Sequence, residues 1–63
     1  MSVQLESRHF YQAGDIVRHR DGTSGTILEA HALFALVRWE DERREEVDQF
    51  DPRVLVILRS EAA

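Results

Sequence analysis

Three adjacent residues, Arg18, His19 and Arg20, carry the most definite chemistry in this 63-residue chain. Guanidinium groups are planar donor forks that match phosphate and carboxylate oxygens. In a strand, Arg18 and Arg20 share one face, as contact with a phosphate backbone requires. Arg8 and His9 lie upstream and extend this basic group. The alternative is a solvated edge strand whose charges prevent aggregation, and the net charge of −4 favours it.

A second charged group is acidic and lies at the predicted tip of a hairpin. Catalytic carboxylates need a cleft that shifts their pKa, and a hard cation needs converging oxygens in a shaped loop. A hairpin tip offers neither, and Arg43 and Arg44 neutralise the charge locally. We therefore expect a solvated tip, with docking on a basic partner as the alternative. The carboxylates are Glu40, Asp41, Glu42, Glu45 and Glu46.

The remaining polar residues predict neither an enzyme nor a metal or cofactor site. His9, His19 and His31 lack the paired spacing of metal ligands, and the chain has no cysteine. No Ser/His/Asp arrangement stands in a recognisable context, and the surroundings of Ser24 are typical of a turn. The segment from Gly22 to Gly25 lacks the lysine and the following helix of a phosphate-binding loop.

The elements that must position these side chains are five short strands. β-branched and aromatic residues favour strands over the competing helix at 24–37. Because Pro52 fixes φ and cannot donate within a ladder, residues 50–53 are predicted to form one 3₁₀ turn before the last strand. The strands are expected at 15–20, 26–30, 33–40, 45–49 and 54–58.

Two hairpin tips and two chain ends complete the predicted organisation. In the first tip, Gly22 and Gly25 can take positive φ without steric cost. A tight second tip would prefer glycine where Glu42 stands, so we expect a looser tip or a bulge there. We expect a single domain at 14–59, preceded by a segment at 1–13 that is flexible or packed on the domain. Residues 60–63 are expected to be a frayed tail.

Sorting each strand by parity gives two apolar faces, although a simply solvated sheet would have one. Ile16, Leu28, Phe34 and Leu36 lie on the outer side, and the strand at 54–58 is apolar on both sides. Burying a large apolar side chain is worth roughly 1.5–3 kcal/mol, so such a face needs a cover. The candidates are the N-terminal segment and a second subunit, and we favour the subunit. The inward set is Val17, Ile27, Ala35, Val37, Trp39 and Val47.

A glycine-bearing hairpin motif and two later segments carry a family resemblance. The motif is Gly14-Asp15-x-Val17-Arg18 with Gly25-x-Ile27, and Val37-x-Trp39-Glu40-Asp41 and the strand at 54–58 follow it. Together they resemble small bacterial SH3-like barrels over residues 12–59, including KOW-type modules. Residues 17–27 are also similar to the opening of the heat-shock protein that binds hemimethylated DNA. The resemblance implies an all-β, five-stranded SH3-like barrel, with nucleic acid as a candidate partner.

A further resemblance is to plasmid-encoded type II dihydrofolate reductase, a tetrameric SH3-like barrel. That family places a Val-Gln-x-Tyr strand just before a proline in its active pore. The matching place here is Val47-Asp48-Gln49-Phe50-Asp51-Pro52, where the glutamine is displaced and Phe50 has no hydroxyl. This resemblance implies a small tetrameric reductase as a second alternative.

Composition and the outer apolar face lead to one main expectation. Hydrophobic residues make up 43% of the chain, enough for a globular core, and no apolar run approaches the roughly 20 residues that span a bilayer. The first residues lack the features of a signal peptide, so we expect a cytoplasmic protein. We expect a non-enzymatic module that binds a protein partner or itself through Ile16, Leu28, Phe34 and Leu36. Nucleic-acid binding through Arg18 and Arg20 is the first alternative.

Overall fold

The computed structural model describes residues 10–60 and confirms the expected all-β class with five antiparallel strands. This part of the chain contains no helix. The strands are β1 Ile16–His19, β2 Ser24–Ala30, β3 Phe34–Trp39, β4 Arg44–Asp48 and β5 Val54–Leu58. The first four form a meander and β5 returns to pair with β1, so the sheet order is β4-β3-β2-β1-β5.

The strand ends differ from the predicted ones where turn hydrogen bonds compete with the ladder. β1 ends at His19 rather than Arg20, because the His19 carbonyl accepts from the Gly22 N–H at 2.8 Å. β2 starts two residues early, at Ser24, because Ser24 and Gly25 pair with β1. The bounds of β5 are those predicted.

The two hairpin tips, between β1 and β2 and between β3 and β4, have the same three-residue construction. In the first, Gly22 has a φ of +97° and the His19 N–H donates to the Thr23 carbonyl. In the second, Glu42 has a φ of +74° and the Trp39 N–H donates to the Arg43 carbonyl at 2.8 Å. A left-handed residue after a turn makes a bulge at the end of such a loop. The looser tip or bulge expected there takes the form of a three-residue loop that ends on the left-handed Glu42.

The segment before β5 forms two successive turns rather than a 3₁₀ helix. The Asp51 N–H donates to the Asp48 carbonyl at 3.1 Å, and the Val54 N–H donates to the Asp51 carbonyl at 3.2 Å. The Asp51 carboxylate also accepts from the Arg53 N–H at 2.9 Å. An aspartate that accepts from the backbone two residues on favours a local turn over a continuous helix.

The sheet is open, with β4 and β5 as its two edges, so it is not closed into the barrel that we expected. Side chains bridge the gap between the edges instead. The Tyr11 hydroxyl donates to the Val54 carbonyl at 2.9 Å, at the start of β5. The Tyr11 N–H donates to Gln49 Oε1 at 2.7 Å, just after β4. Tyr11 therefore joins both edges without a ladder.

The core contains the whole predicted inward set. Two further side chains complete it: Tyr11, which precedes β1, and Val54, which starts β5. Val56 is partly buried against the same cluster. The shared members are Val17, Ile27, Ala35, Val37, Trp39 and Val47, and all of them are buried.

Candidate functional site

The four outward-facing residues predicted as an interface lie on the first three strands and are all half-buried: Ile16 on β1, Leu28 on β2, and Phe34 and Leu36 on β3. In the ladders, Ile16 lies opposite Thr26 and Leu36 lies opposite Glu29. The structure therefore places the four residues on three neighbouring strands, with polar residues opposite Ile16 and Leu36. Their role as an interface stays a prediction.

Local contacts shape the end of this outer face. The ladder between β2 and β3 has a register shift between Ile27 and Glu29, so Leu28 lies at a bulge. Beyond it, the His31 ring stacks on Phe34 with 4.6 Å between centroids. His31 Nε2 also lies 3.1 Å from Glu29 Oε1. Phe34 is thus held by a loop residue rather than left unsupported.

The most exposed apolar strand is β5, which parity identified as apolar on both sides but which the predicted interface did not include. Leu55 is 66% exposed, Ile57 is 49% exposed and Leu58 is 65% exposed. Val54 is buried in the core and Val56 packs against it. The alternation within β5 therefore leaves large aliphatic side chains in water, which is typical of association surfaces.

A groove of about 520 Å³ runs beside β5, and its lining includes Tyr11, Phe50 and Leu58. The Phe10 ring meets the Phe50 ring edge-to-face, with 5.1 Å between centroids. Burial raises the pKa of the Tyr11 hydroxyl above its ordinary value, and the nearby Asp51 carboxylate raises it further. The N-terminal cover considered above would also use Val3 and Leu5, which lie outside the described residues.

The predicted basic group lies along β1 and the turn that follows it, with Arg18 exposed and the His19 ring edge-on to the core Trp39. Arg18, His19 and Arg20 line a groove of about 340 Å³, together with residues of β5 and the turn before it, among them Arg53. His19 Nδ1 lies 3.2 Å from an Asp21 carboxylate oxygen. Arg8 and His9, which the sequence suggested as part of the same group, lie outside the described residues.

The acidic tip between β3 and β4 is exposed, as expected for a solvated hairpin. Arg43 Nε donates to Asp41 Oδ2 at 2.7 Å, and this hydrogen bond holds the pKa of the Asp41 carboxyl below its ordinary value. Glu45 Oε1 accepts from the indole N–H of Trp39 at 2.9 Å. Two of the five carboxylates therefore have partners of their own instead of converging on one point.

Two buried polar side chains were missed because hydrophobic patterning cannot find them. Asp15 is fully buried and its carboxylate accepts from the Gln12 N–H, the Ser60 N–H and Arg59 Nη1, at 2.9, 2.6 and 3.2 Å. It therefore ties the chain before β1 to the chain after β5. The buried Gln49 links the N-terminal segment to the loop between β2 and β3, since its Nε2 donates to the His31 carbonyl at 2.9 Å.

The sequence matches no family model, no curated protein and no solved structure. Among residues 10–60, no helix is long and apolar enough to cross a membrane. Nor do those residues contain a group of three or more histidine, aspartate or glutamate side chains that could hold a metal ion.

Proposed function

We propose that this chain is a non-enzymatic SH3-like module that works by protein association, either with a second copy or with a different subunit. The five antiparallel strands and the return of β5 to β1 support the SH3-like part of the proposal. Two tight three-residue hairpin tips, at Gly22 and Glu42, are consistent with a small, strongly bent sheet.

Exposed apolar surface is the observation that carries the proposal. Leu55, Ile57 and Leu58 remain about half to two-thirds exposed, and Phe34 and Leu36 are only half-buried. Covering a large apolar side chain is worth roughly 1.5–3 kcal/mol, which is a sizeable part of the stability of so short a chain. A partner that covers this surface therefore stabilises the fold as well as binding it.

Phe34 and Leu36 are the proposed anchors, and the acidic tip is the proposed rim. Anchors at the centre of an interface supply most of the binding free energy, whereas rim charges chiefly set the association rate and the choice of partner. Glu40, Glu42 and Glu46 make no ion pair within the described chain, so they are available to a basic surface. We therefore expect the partner to carry a basic surface.

Replacing Phe34 with aspartate tests this assignment. We expect the variant to lose association, because a carboxylate at the anchor position opposes desolvation. The matched control is Leu33→Asp, since Leu33 is 81% exposed at the neighbouring loop and lies off the sheet face. Native mass by light scattering reports association, and circular dichroism reports folding. A folded Phe34→Asp variant that associates like the wild type would contradict the proposal.

The nucleic-acid alternative has one observation in its favour, which is that Arg18, Arg20 and Arg53 line a common groove. Binding to phosphates through these arginines would weaken steeply as salt is added. The reductase alternative and the cytoplasmic location stay predictions from the sequence. Gln49 is the displaced counterpart of the glutamine in the reductase motif. It is buried, and its side-chain amide is hydrogen-bonded to backbone groups.

A further inference from the structure

The groove beside β1 combines positive charge with an apolar lining. Arg18 lies directly opposite Leu55 in the ladder between β1 and β5, so the guanidinium and the aliphatic side chain are neighbours on the outer side. Ile57 adds a second aliphatic side chain to the lining. Leu55 and Ile57 are both about half exposed or more, so the groove offers apolar area that is open to a ligand.

The two arginines of β1 and its turn have no bonded partner in the part of the chain that the structure describes. The guanidinium groups of Arg18 and Arg20 make no hydrogen bond or ion pair within residues 10–60. Arg53 differs, because its Nε and Nη2 donate to the Asp51 carboxylate at 3.1 and 2.9 Å. Within residues 10–60, the groove therefore carries two cations that pair with no carboxylate, although the chain as a whole has a net charge of −4.

The lining distinguishes between two kinds of anionic ligand. Single-stranded nucleic acids are held by aromatic side chains on which the bases stack. Among the described residues, the only aromatic ring in the lining is that of His19, which lies edge-on to the buried Trp39 with 5.8 Å between centroids, so the groove has no phenylalanine, tyrosine or tryptophan as a stacking platform. Aliphatic side chains such as Leu55 instead match apolar side chains of a protein, while free guanidinium groups match carboxylates.

We propose that this groove binds a short acidic segment of a partner protein, with aliphatic side chains packed on Leu55 and Ile57 and carboxylates paired with Arg18 and Arg20. The site shares Leu55 and Ile57 with the exposed apolar surface described above, but it does not include the proposed anchors Phe34 and Leu36. The two proposed sites would bind partners of opposite charge. The acidic tip would bind a basic surface, whereas this groove would bind an acidic segment.

A titration with a fluorescein-labelled peptide of alternating glutamate and leucine tests the proposal by fluorescence anisotropy. The Arg18→Glu/Arg20→Glu double variant should weaken binding at least about tenfold, because it places two repelling charges in the groove. The matched control is Arg38→Glu/Arg44→Glu, which changes the net charge equally on β3 and β4. That control should lose much less affinity.

The apolar half of the site has its own variant pair. Leu55→Ser should weaken binding of the same peptide several-fold, whereas Leu33→Ser, at an exposed apolar position away from the groove, should not.

A lysine-leucine peptide should not bind. The proposal is overturned if the glutamate-leucine peptide does not bind, or if both double variants lose affinity equally. Tighter binding of a thymidine oligonucleotide than of the peptide would also overturn it, in favour of nucleic acid. Peptide binding by Phe34→Asp separates this result from the fate of the association face.

Discussion

Buried polar groups of single residues hold the two ends of the described chain in place. The Asp15 carboxylate accepts three hydrogen bonds. One comes from a residue before β1, and two come from residues after β5. Tyr11 donates through its hydroxyl to the start of β5 and through its N–H to Gln49. Removing one partner from such a buried set leaves another polar group unsatisfied, at a cost of about 1–3 kcal/mol.

Gly25 is the residue at which a single methyl group should do most harm. A Cβ there would lie 2.7 Å from Trp39 Cε3 and 2.8 Å from Val37 Cγ1, and both side chains are packed in the core. We expect Gly25→Ala to lower the free energy of unfolding by about 2 kcal/mol, because overpacking forces the core to shift. Urea denaturation measures this. Ser24→Ala is the control, and a change below about 0.5 kcal/mol in Gly25→Ala would contradict the packing described.

Asp51 should make the free energy of unfolding depend on pH in the acidic range. The side-chain hydrogen bond from Arg53 lowers the pKa of Asp51 to about 2 from an ordinary value of 3.8. Because the folded pKa is the lower one, the stabilisation is present above pH 3.8 and is lost as the pH falls through 2. Since Arg53 is exposed, solvent screening reduces the expected loss to about 1 kcal/mol.

Comparison of the wild type with Asp51→Asn isolates this contribution. The asparagine keeps an oxygen that can accept from the Arg53 N–H but removes the charge, so its unfolding free energy should fall less between pH 4 and pH 2. Glu46→Gln, which removes a carboxylate with no ion pair in the described chain, should keep the wild-type slope. Parallel slopes for Asp51→Asn and the wild type would show that the ion pair contributes nothing.

Among the elements, the two hairpin tips place different residue types in the same left-handed backbone conformation. Gly22 takes positive φ freely, whereas Glu42 takes it against a steric cost. We expect Glu42→Gly to raise the free energy of unfolding by about 0.5–1 kcal/mol, because the left-handed conformation costs a residue with a Cβ roughly 1–2 kcal/mol. Thermal denaturation measures the gain, and Glu40→Gly in the same loop should show none. Equal effects at both positions would mean that the strain at Glu42 is absent.

The elements were predictable where short-range rules decide them. Alternation in β3 placed Val37 and Trp39 inward, and the residue type at position 42 predicted a looser tip or a bulge. The bridging of the two open edges was not predictable, because it depends on Tyr11 and Gln49, which are 38 residues apart and joined by a hydrogen bond. The burial of Asp15 could not be predicted from hydrophobic patterning either. A carboxylate in a loop is normally expected to be exposed, and only its hydrogen-bond partners show that this one is buried.

For the whole molecule, the distribution of apolar side chains is uneven. The inner side of the sheet holds a closed core, whereas β5 and the outer face leave Leu55, Ile57 and Phe34 at least partly in water. The two sheet edges differ as well. β4 carries charged side chains, which discourage edge-to-edge pairing, whereas β5 has only apolar ones. The proposed association with a protein that covers the apolar side would account for this asymmetry.

The native mass of the full chain, measured by light scattering over a range of concentrations, tests the association claim most directly. Alone, the chain has a mass of 7.3 kDa. The account predicts a larger particle at micromolar concentration, or a stable complex with one partner when the chain is isolated from its source. A particle that stays at 7.3 kDa in both preparations, and binds no dye specific for apolar surface, would contradict it.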